Sequence, residues 1–432
     1  MRRLFLNKFL SNLAAAKKAS LANIAGVFFL SMIIVSFFRM ALPLSFQGND
    51  NSDYIAFYEP VAHSILNGRG FVLSDGSLAI RYPPGYPILL AGIFKVSQLL
   101  KLSEARVNGY FILFCMGIAA VIVYLLFQEV SGVIAGWLSA LLFMTYPFIL
   151  WLTKQPNSEM PFLIFFYGSV YLFWLGLNGK GHVRSFLFCA GILIGVAMLI
   201  RPIVIGAGVL LAVLFLILDK RHKLTYRLLF GAILLAGNVL AVLPWETWVF
   251  MNVRQPILLS TSSVPAIQDG LTFGVVSKNY RVDIPLPRDV IGLQNQLAEE
   301  TPSLNSIADI ANELKNRFSQ QPLAVLKLFF IKAGRSWYAT DTGQMENYTI
   351  LIQAVYIFLI ICSAFVLWRK KGMARDMFLL LGCLTMYFWL MTVAALSILR
   401  YMSPVIGLLL GIIPVAYFYG PQSFKNLSKA DN

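Results

Sequence analysis

The strongest constraint on this chain is a series of apolar runs at or near the length that crosses a bilayer, about 20 residues each. They lie at about 22–42, 107–127, 131–152, 160–178, 185–200, 203–218, 226–246, 350–368, 376–396 and 403–419. In hydrocarbon a spanning backbone must satisfy its own N–H and C=O groups, so each run is expected to be helical. Ten such crossings would use roughly 200 residues and leave about half the chain outside. Composition agrees: 58% of the 432 residues are hydrophobic and 13% are charged, against about 25% charged in an ordinary soluble domain. A soluble enzyme is excluded. The expected fold is an all-α polytopic membrane protein of about ten transmembrane helices with a loop cap on its outer side.

The net charge of +15 would suggest nucleic acid in a soluble protein, but here the basic residues sit in short loops beside apolar runs. No nucleic-acid partner is expected. The clusters are the N-terminus with Arg2, Arg3, Lys8, Lys17 and Lys18, then Lys180 with Arg184, then Lys220, Arg221, Lys223 and Arg227. Arg369, Lys370, Lys371 and Arg375 follow, and Lys425 and Lys429 form the tail. Lys and Arg favour cytoplasmic loops. All five clusters share one side only if the run Tyr86–Leu100 does not span. The first apolar run is longer than a signal-peptide core and no small-residue cleavage site follows it, so it reads as a retained helix.

On that topology residues 1–246 form an N-terminal transmembrane region with outer loops at 43–85 and 153–159. Residues 247–349 form an outer segment, and 350–432 supply the last transmembrane helices and a short cytoplasmic tail. The outer segment is punctuated by Pro256, Pro265, Pro285, Pro287, Pro302 and Pro322 and has an amphipathic stretch near 303–320. The four cysteines, Cys115, Cys189, Cys362 and Cys383, all lie in apolar stretches, so no disulfide framework or thiolate metal site is expected. His63, His182 and His222 are too scattered to suggest a histidine-based metal cluster. Phosphate-loop, H-E-x-x-H and G-x-S-x-G signatures are absent.

Candidate chemistry gathers in the outer loops. Asp53 follows the first crossing, where a carboxylate at a cavity rim can serve as general base for a hydroxyl. Its position before Tyr54, Ile55, Phe57 and Tyr58 equally suits a helix N-cap. Asp50 and Glu59 are rival carboxylates, and Tyr58 and Tyr82 are further candidates. In Ala79–Gly92, AIRYPPGYPILLAG, the prolines stiffen the chain and set a turn at Pro84-Gly85. Arg81 is thereby held at a defined place, suited either to gripping a phosphate with two hydrogen bonds or to snorkelling at the headgroup boundary. Glu159, in TKQPNSEMPF, could bind a divalent cation, orient a substrate or cap the helix that follows. Arg201-Pro202 and Arg400-Tyr401 open outer turns, so three arginines converge on one interface from distant parts of the chain. Trp245, Trp248, Trp337 and Tyr338 suit an interfacial aromatic belt or the wall of a lipid or sugar pocket.

In their order along the chain these residues resemble the GT-C superfamily of membrane glycosyltransferases, within it the protein O-mannosyltransferases and the lipid A aminoarabinose transferase. The resemblance rests on Asp53, on Tyr58, Ala62 and Gly68, and on R-Y-P-P-G-Y-P from Arg81 to Pro87. Glu159, Arg201-Pro202, P-W-E-T-W-V-F-M-N from Pro244 to Asn252, and Arg400-Tyr401 complete it. It covers most of the chain and is strongest over about 45–270. Tyr82 stands directly before the double proline, where the aminoarabinose transferase has a lysine.

The resemblance implies inverting transfer of a sugar from a polyprenyl-phosphate carrier to an acceptor hydroxyl on a protein, lipid or glycan, at the periplasmic or lumenal face. By the same resemblance Asp53 is the base, Glu159 helps bind a divalent cation or the donor, and Arg81, Arg201, Arg400 and Tyr401 bind the donor phosphate. A bacterial plasma membrane is the expected location. The reading from another class is a transporter or flippase of a lipid-linked sugar, which would be expected to carry ionisable groups near the midplane; Lys95 is the clearest charge within an apolar run. A polymerase or ligase using diphosphate-linked glycans shares the lipid-phosphate logic.

Overall fold

The structure, a computed structural model, describes residues 2–46, 48–179, 181–276 and 284–427. Lys180 and Lys429, two of the orienting basic residues, lie outside them. Among the described residues the architecture is all-α, and an isolated antiparallel bridge between Val72 and Leu78 is the one β pairing.

The first half of the chain builds α1 (Arg2–Ala41), α2 (Glu59–Leu66), α3 (Gly85–Leu100), α4 (Glu104–Ser131), α5 (Val133–Thr145), α6 (Pro147–Leu152), α7 (Glu159–Leu177), α8 (Val183–Ile200), α9 (Ala207–Leu218) and α10 (Leu224–Val253). Then come α11 (Ser263–Thr272), α12 (Arg288–Glu300), α13 (Ile307–Gln320) and α14 (Pro322–Arg335), all short, followed by α15 (Glu346–Trp368), α16 (Met373–Ala394), α17 (Leu399–Leu409) and α18 (Ile412–Leu427). Among the described residues, eight helical stretches are long and apolar enough to cross a membrane: Ser20–Ala41, α4, α7, α8, α10, α15, α16 and Leu399–Tyr419. The protein is an integral multi-pass membrane protein.

Of the other two apolar runs, 131–152 is broken inside and 203–218 starts behind a break that separates it from α8, and a proline lies at each break. A proline lacks the N–H for the helical ladder and pushes the residue before it toward extended backbone. Tyr146, before Pro147, sits at φ −66°, ψ 120° and separates α5 from α6. Arg201, before Pro202, sits at φ −143°, ψ 119° and separates α8 from a short 3-10 turn and α9. The second break matters for function, because an extended Arg201 turns its side chain off the axis of α8.

The run that the charge pattern requires not to span is α3. Its 16 residues reach about 24 Å at 1.5 Å each, short of a hydrocarbon core of about 30 Å. It packs on α2, α4 and the end of α8. Gly85 sits so close to α8 that an added Cβ would stand 2.6 Å from the Leu199 carbonyl oxygen and 2.9 Å from Ile200. Any side chain here would push the Pro83-Pro84-Gly85 turn away from Arg201.

A large apolar core runs through the membrane helices. A second, separate core unites α11, α12, α13 and α14 around Leu271, Val290, Leu293, Leu297, Ile310 and Leu328. Ser306 and Asp309 cap α13 reciprocally, satisfying two orphan donors at its start. This helical cap is tied to the membrane part by backbone and charge. Leu399 N–H donates to the Ala339 carbonyl at 2.9 Å, Arg335 grips both Glu346 oxygens at 2.8 and 3.0 Å, and Lys332 Nζ donates to the Ala395 carbonyl at 2.9 Å.

Lys332 is fully buried, and burial pulls its ammonium down to about 7. Above that pH the folded protein carries a neutral amine, while an unfolded chain stays protonated to about 10.4. Stability contributed at this site therefore rises from about pH 7 toward pH 10 and is lost below it. The expected outcome is that wild-type Tm in detergent climbs relative to Lys332→Met between pH 7 and 9.5. Parallel pH profiles for the two proteins would show a charged Lys332.

Candidate active site

The first outer loop enters its helix through Asn51, whose Oδ1 accepts from Tyr54 N–H at 3.3 Å and whose Nδ2 donates to the Pro156 carbonyl at 2.9 Å. Asn51 thus joins the two outer loops and takes the capping task. Asp53 makes no capping bond. Its Oδ1 instead accepts from the Tyr82 hydroxyl at 2.9 Å, and the residue is half-buried. A π-helical turn, Tyr54–Tyr58, then runs straight into α2.

That turn aims Tyr58 at the Arg81–Pro87 segment. Its ring lies 5.2 Å from Tyr82 and 4.9 Å from Tyr86, centroid to centroid, and Phe57 stands 5.1 Å from Tyr82. Burial pushes the Tyr58 phenol well above its ordinary range, with Arg201 opposing and Tyr82, Asp53 and Glu159 adding to the rise. Tyr82 is raised by burial and by Asp53, with Arg81 opposing. Both phenols stay protonated, and together they place Asp53, Arg81, Arg201 and Glu159 in one electrostatic neighbourhood.

Behind the tyrosines lies a buried ion cluster. Glu159 is wholly buried at the start of α7. Arg201 Nη1 reaches its carboxylate at 2.6 Å, and Arg400 Nε donates to the same Oε1. Arg201 also donates to Ser158 Oγ at 3.2 Å and lies over the Tyr401 ring at 5.3 Å. Arg400 reaches Asp341 of the outer segment at 3.6 Å. Asn157 Oδ1, accepting from Met160 N–H at 3.2 Å, caps α7, so Glu159 is free to serve the arginines.

Arg81 is exposed, stacks on Tyr82 at 5.4 Å and has no ion-pair partner among the described residues. Its loop is anchored from two sides. Thr261 N–H donates to the Ile80 carbonyl at 3.0 Å, and Phe71 packs edge-on to the stacked pair Trp245 and Trp248. Those two tryptophans, expected at a belt or pocket wall, therefore brace the loop that carries Arg81.

Two rival carboxylates point elsewhere. Asp50 pairs with Lys154 at 3.2 Å, and Glu59 turns toward His63 and Glu104. Sequence reasoning missed Lys154, Asn51, Ser158, Asn157 and Asp341. The first four lie in the loops already singled out; Lys154 and Asn51 meet partners 104 and 105 residues away and Ser158 meets Arg201 43 residues on, contacts that the packing sets, whereas Asn157 caps α7 locally.

Around Asp53 and Glu159 the donors present do not fit a divalent cation. Asp53 offers one carboxylate beside a phenol, and Glu159 is met by two guanidiniums and the Ser158 hydroxyl. Ligand atoms of Glu59, His63 and Glu104, by contrast, all lie within 4.8 Å of one another. Scattered histidines argued against a histidine-based cluster; what assembles here is one histidine between two glutamates.

This arrangement of helices is the GT-C fold of polytopic membrane glycosyltransferases. The oligosaccharyltransferase AglB of Archaeoglobus fulgidus, in complex with an inhibitory peptide and a dolichol-phosphate, aligns over 94% of this chain and 52% of its own, with TM-score 0.56 and 16% identity. The A. fulgidus enzyme with Zn and sulfate aligns over 92% and 50%, with TM-score 0.54 and 15% identity. This chain spans about half the length of those proteins. ArnT of Cupriavidus metallidurans bound to undecaprenyl phosphate matches more loosely, at TM-score 0.42 and 13% identity over 94% of this chain and 77% of its own. Residues 82–248 match the family model of dolichyl-phosphate-mannose-protein mannosyltransferases. No curated protein sequence matches the chain.

Removing one member of a buried ion cluster strands the others in a medium that cannot solvate them. Glu159→Gln is expected to cost about 3 kcal/mol or more, read as a fall in Tm in detergent. Adding Arg400→Met to Glu159→Gln should recover part of it. An unchanged Tm for the single variant would mean that the arginines find other partners or water.

Proposed function

We propose that the protein is an inverting glycosyltransferase that moves a sugar from a polyprenyl-phosphate donor to an acceptor hydroxyl at the outer face of the membrane. The observation that carries this reading is a half-exposed carboxylate, Asp53, held by a phenol beside an exposed guanidinium, Arg81, that has no ion-pair partner among the described residues. One group accepts a proton, and the other meets a phosphate. The match of residues 82–248 to the mannosyltransferase family model and the GT-C fold support the donor class. The bias of basic loops away from this end of the bundle supports the outer face.

In this mechanism the acceptor oxygen attacks the anomeric carbon as Asp53 takes its proton. The bond from that carbon to the donor phosphate oxygen breaks on the opposite face, so the configuration inverts. Negative charge grows on the leaving polyprenyl phosphate. Arg81 meets it from the rim. Arg201 and Arg400, held by Glu159 and, for Arg400, also by Asp341, present their guanidiniums from below, with Tyr401 under Arg201. Fixed cations aimed at developing charge stabilise the transition state without reorganising. Tyr82 orients the base, and Glu159 holds the two arginines in place. Asp50 and Glu59, each engaged elsewhere, take no part.

The test is release of polyprenyl monophosphate from synthetic polyprenyl-phosphate sugars by the protein in nanodiscs, with a membrane extract as acceptor. Asp53→Asn is expected to lower turnover by about 100-fold or more while donor binding persists. Arg81→Ala is expected to weaken donor binding, and Tyr82→Phe to lower turnover by a smaller factor. Full turnover by Asp53→Asn would remove Asp53 as base. Specific donor binding without release by the wild type would favour a carrier of lipid-linked sugars.

A further inference from the structure

Glu59 and His63 are four residues apart on α2 and so share one helical face. Glu104 opens α4 beside them. His63 Nε2 stands 3.4 Å from Glu104 Oε2, and the ligand atoms of all three residues lie within 4.8 Å of one another. About an ion in tetrahedral coordination, with bonds of about 2.1 Å, neighbouring ligand atoms stand roughly 3.4 Å apart. The His63–Glu104 pair already has that separation, and a small side-chain rotation brings Glu59 to it. The imidazole is held for this geometry by the Phe94 ring, stacked at 4.6 Å and 24°.

The surroundings favour a cation. The Glu59 carboxylate has no ion-pair or hydrogen-bond partner among the described residues, and two carboxylates beside one histidine leave the cluster negative in either form of the imidazole. One turn along α4 from Glu104 is Asn108, which is 1% exposed and whose Oδ1 has no hydrogen-bond partner among the described residues. Its Nδ2 faces the Tyr54 hydroxyl at 3.5 Å, and that phenol is pushed up by burial and by both Glu59 and Glu104. An unsatisfied buried acceptor thus lies one helical turn from Glu104, and such an atom is costly to leave bare.

We propose that Glu59, His63 and Glu104 form a binding site for a divalent cation of the Zn2+ class, which clamps α2 to the start of α4. One imidazole and two carboxylates leave a fourth tetrahedral position for water, and the mixed nitrogen and oxygen set suits zinc and its late first-row neighbours over Mg2+ or Ca2+. The clamp has a mechanical consequence. Glu59 directly follows Tyr58, so fixing Glu59 against α4 sets the rotation of the helix that carries Tyr58 and, one π-turn earlier, Asp53. The site is separate from the sugar-transfer centre, and its existence does not depend on what that centre does.

The test uses the full chain purified through a tag without histidines, stripped with a chelator, dialysed and equilibrated with Zn2+ alone. Elemental analysis should find about one Zn2+ per wild-type chain. His63→Gln and Glu104→Gln should each bind at least tenfold more weakly, whereas His222→Gln, at the opposite end of the bundle, should bind like wild type. Co2+ in place of Zn2+ should give a tetrahedral absorption band in the wild type that both site variants lose. Tm of the stripped variants, compared with stripped wild type, separates loss of the ion from loss of the fold. No retained Zn2+ in the wild type, or equal retention in His63→Gln and Glu104→Gln, would overturn the proposal.

Discussion

The site depends on one buried carboxylate. Glu159, without exposed surface at the head of a transmembrane helix, is stable as an ion only because two guanidiniums meet it. An isolated charge in hydrocarbon costs several kcal/mol or more, so the three side chains must arrive together. Arg201 comes from the end of α8 and Arg400 from the start of α17. Their meeting at Glu159 fixes the tops of three helices relative to one another. It also sets Arg201 and Glu159 in the same electrostatic neighbourhood as Tyr58 and Asp53.

Around that cluster the structure works by bracing. The Pro83-Pro84-Gly85 turn is seated on α8 through Gly85, which leaves no room for a side chain between Arg81 and Arg201. The Tyr58–Tyr82 pair fills the space between loop and helix, and Tyr82 takes hold of Asp53. From above, the cap reaches the same place through Asp341 on Arg400 and through the Ala339–Leu399 backbone bond. Asp53 is thus held through Tyr82 in a loop braced by elements from distant parts of the chain.

Much of the fold was legible because the bilayer permits few solutions. Runs such as 226–246 and 350–368 could only be helices, and the helices are there as α10 and α15. The breaks before Pro147 and Pro202 both follow from proline chemistry; the second separates two apolar runs in the sequence, whereas the run 131–152 around Pro147 reads as continuous. Hydropathy averages over a window and does not register one missing N–H. In the site, Asp53, Arg81, Glu159, Arg201 and Arg400 stood out as polar residues at the rims of apolar runs. Their partnerships did not. Capping, the sequence alternative for Asp53 and Glu159, falls instead to Asn51 and Asn157, a distinction made by side-chain direction and invisible in spacing.

The sequence by itself determined that this chain is a multi-helix membrane protein, which loops carry its polar residues, and where proline interrupts its helices. Those properties are local, or are imposed by the solvent that the chain must enter. Only the tertiary structure decided that Tyr82 holds Asp53 across 29 residues, that Arg400 finds Glu159 across 241, and that His63 faces Glu104. The reason is physical. A charge in a low-dielectric interior must be neutralised within a few ångströms, and which opposite charge comes that close is a property of how the helices pack, not of any stretch of sequence.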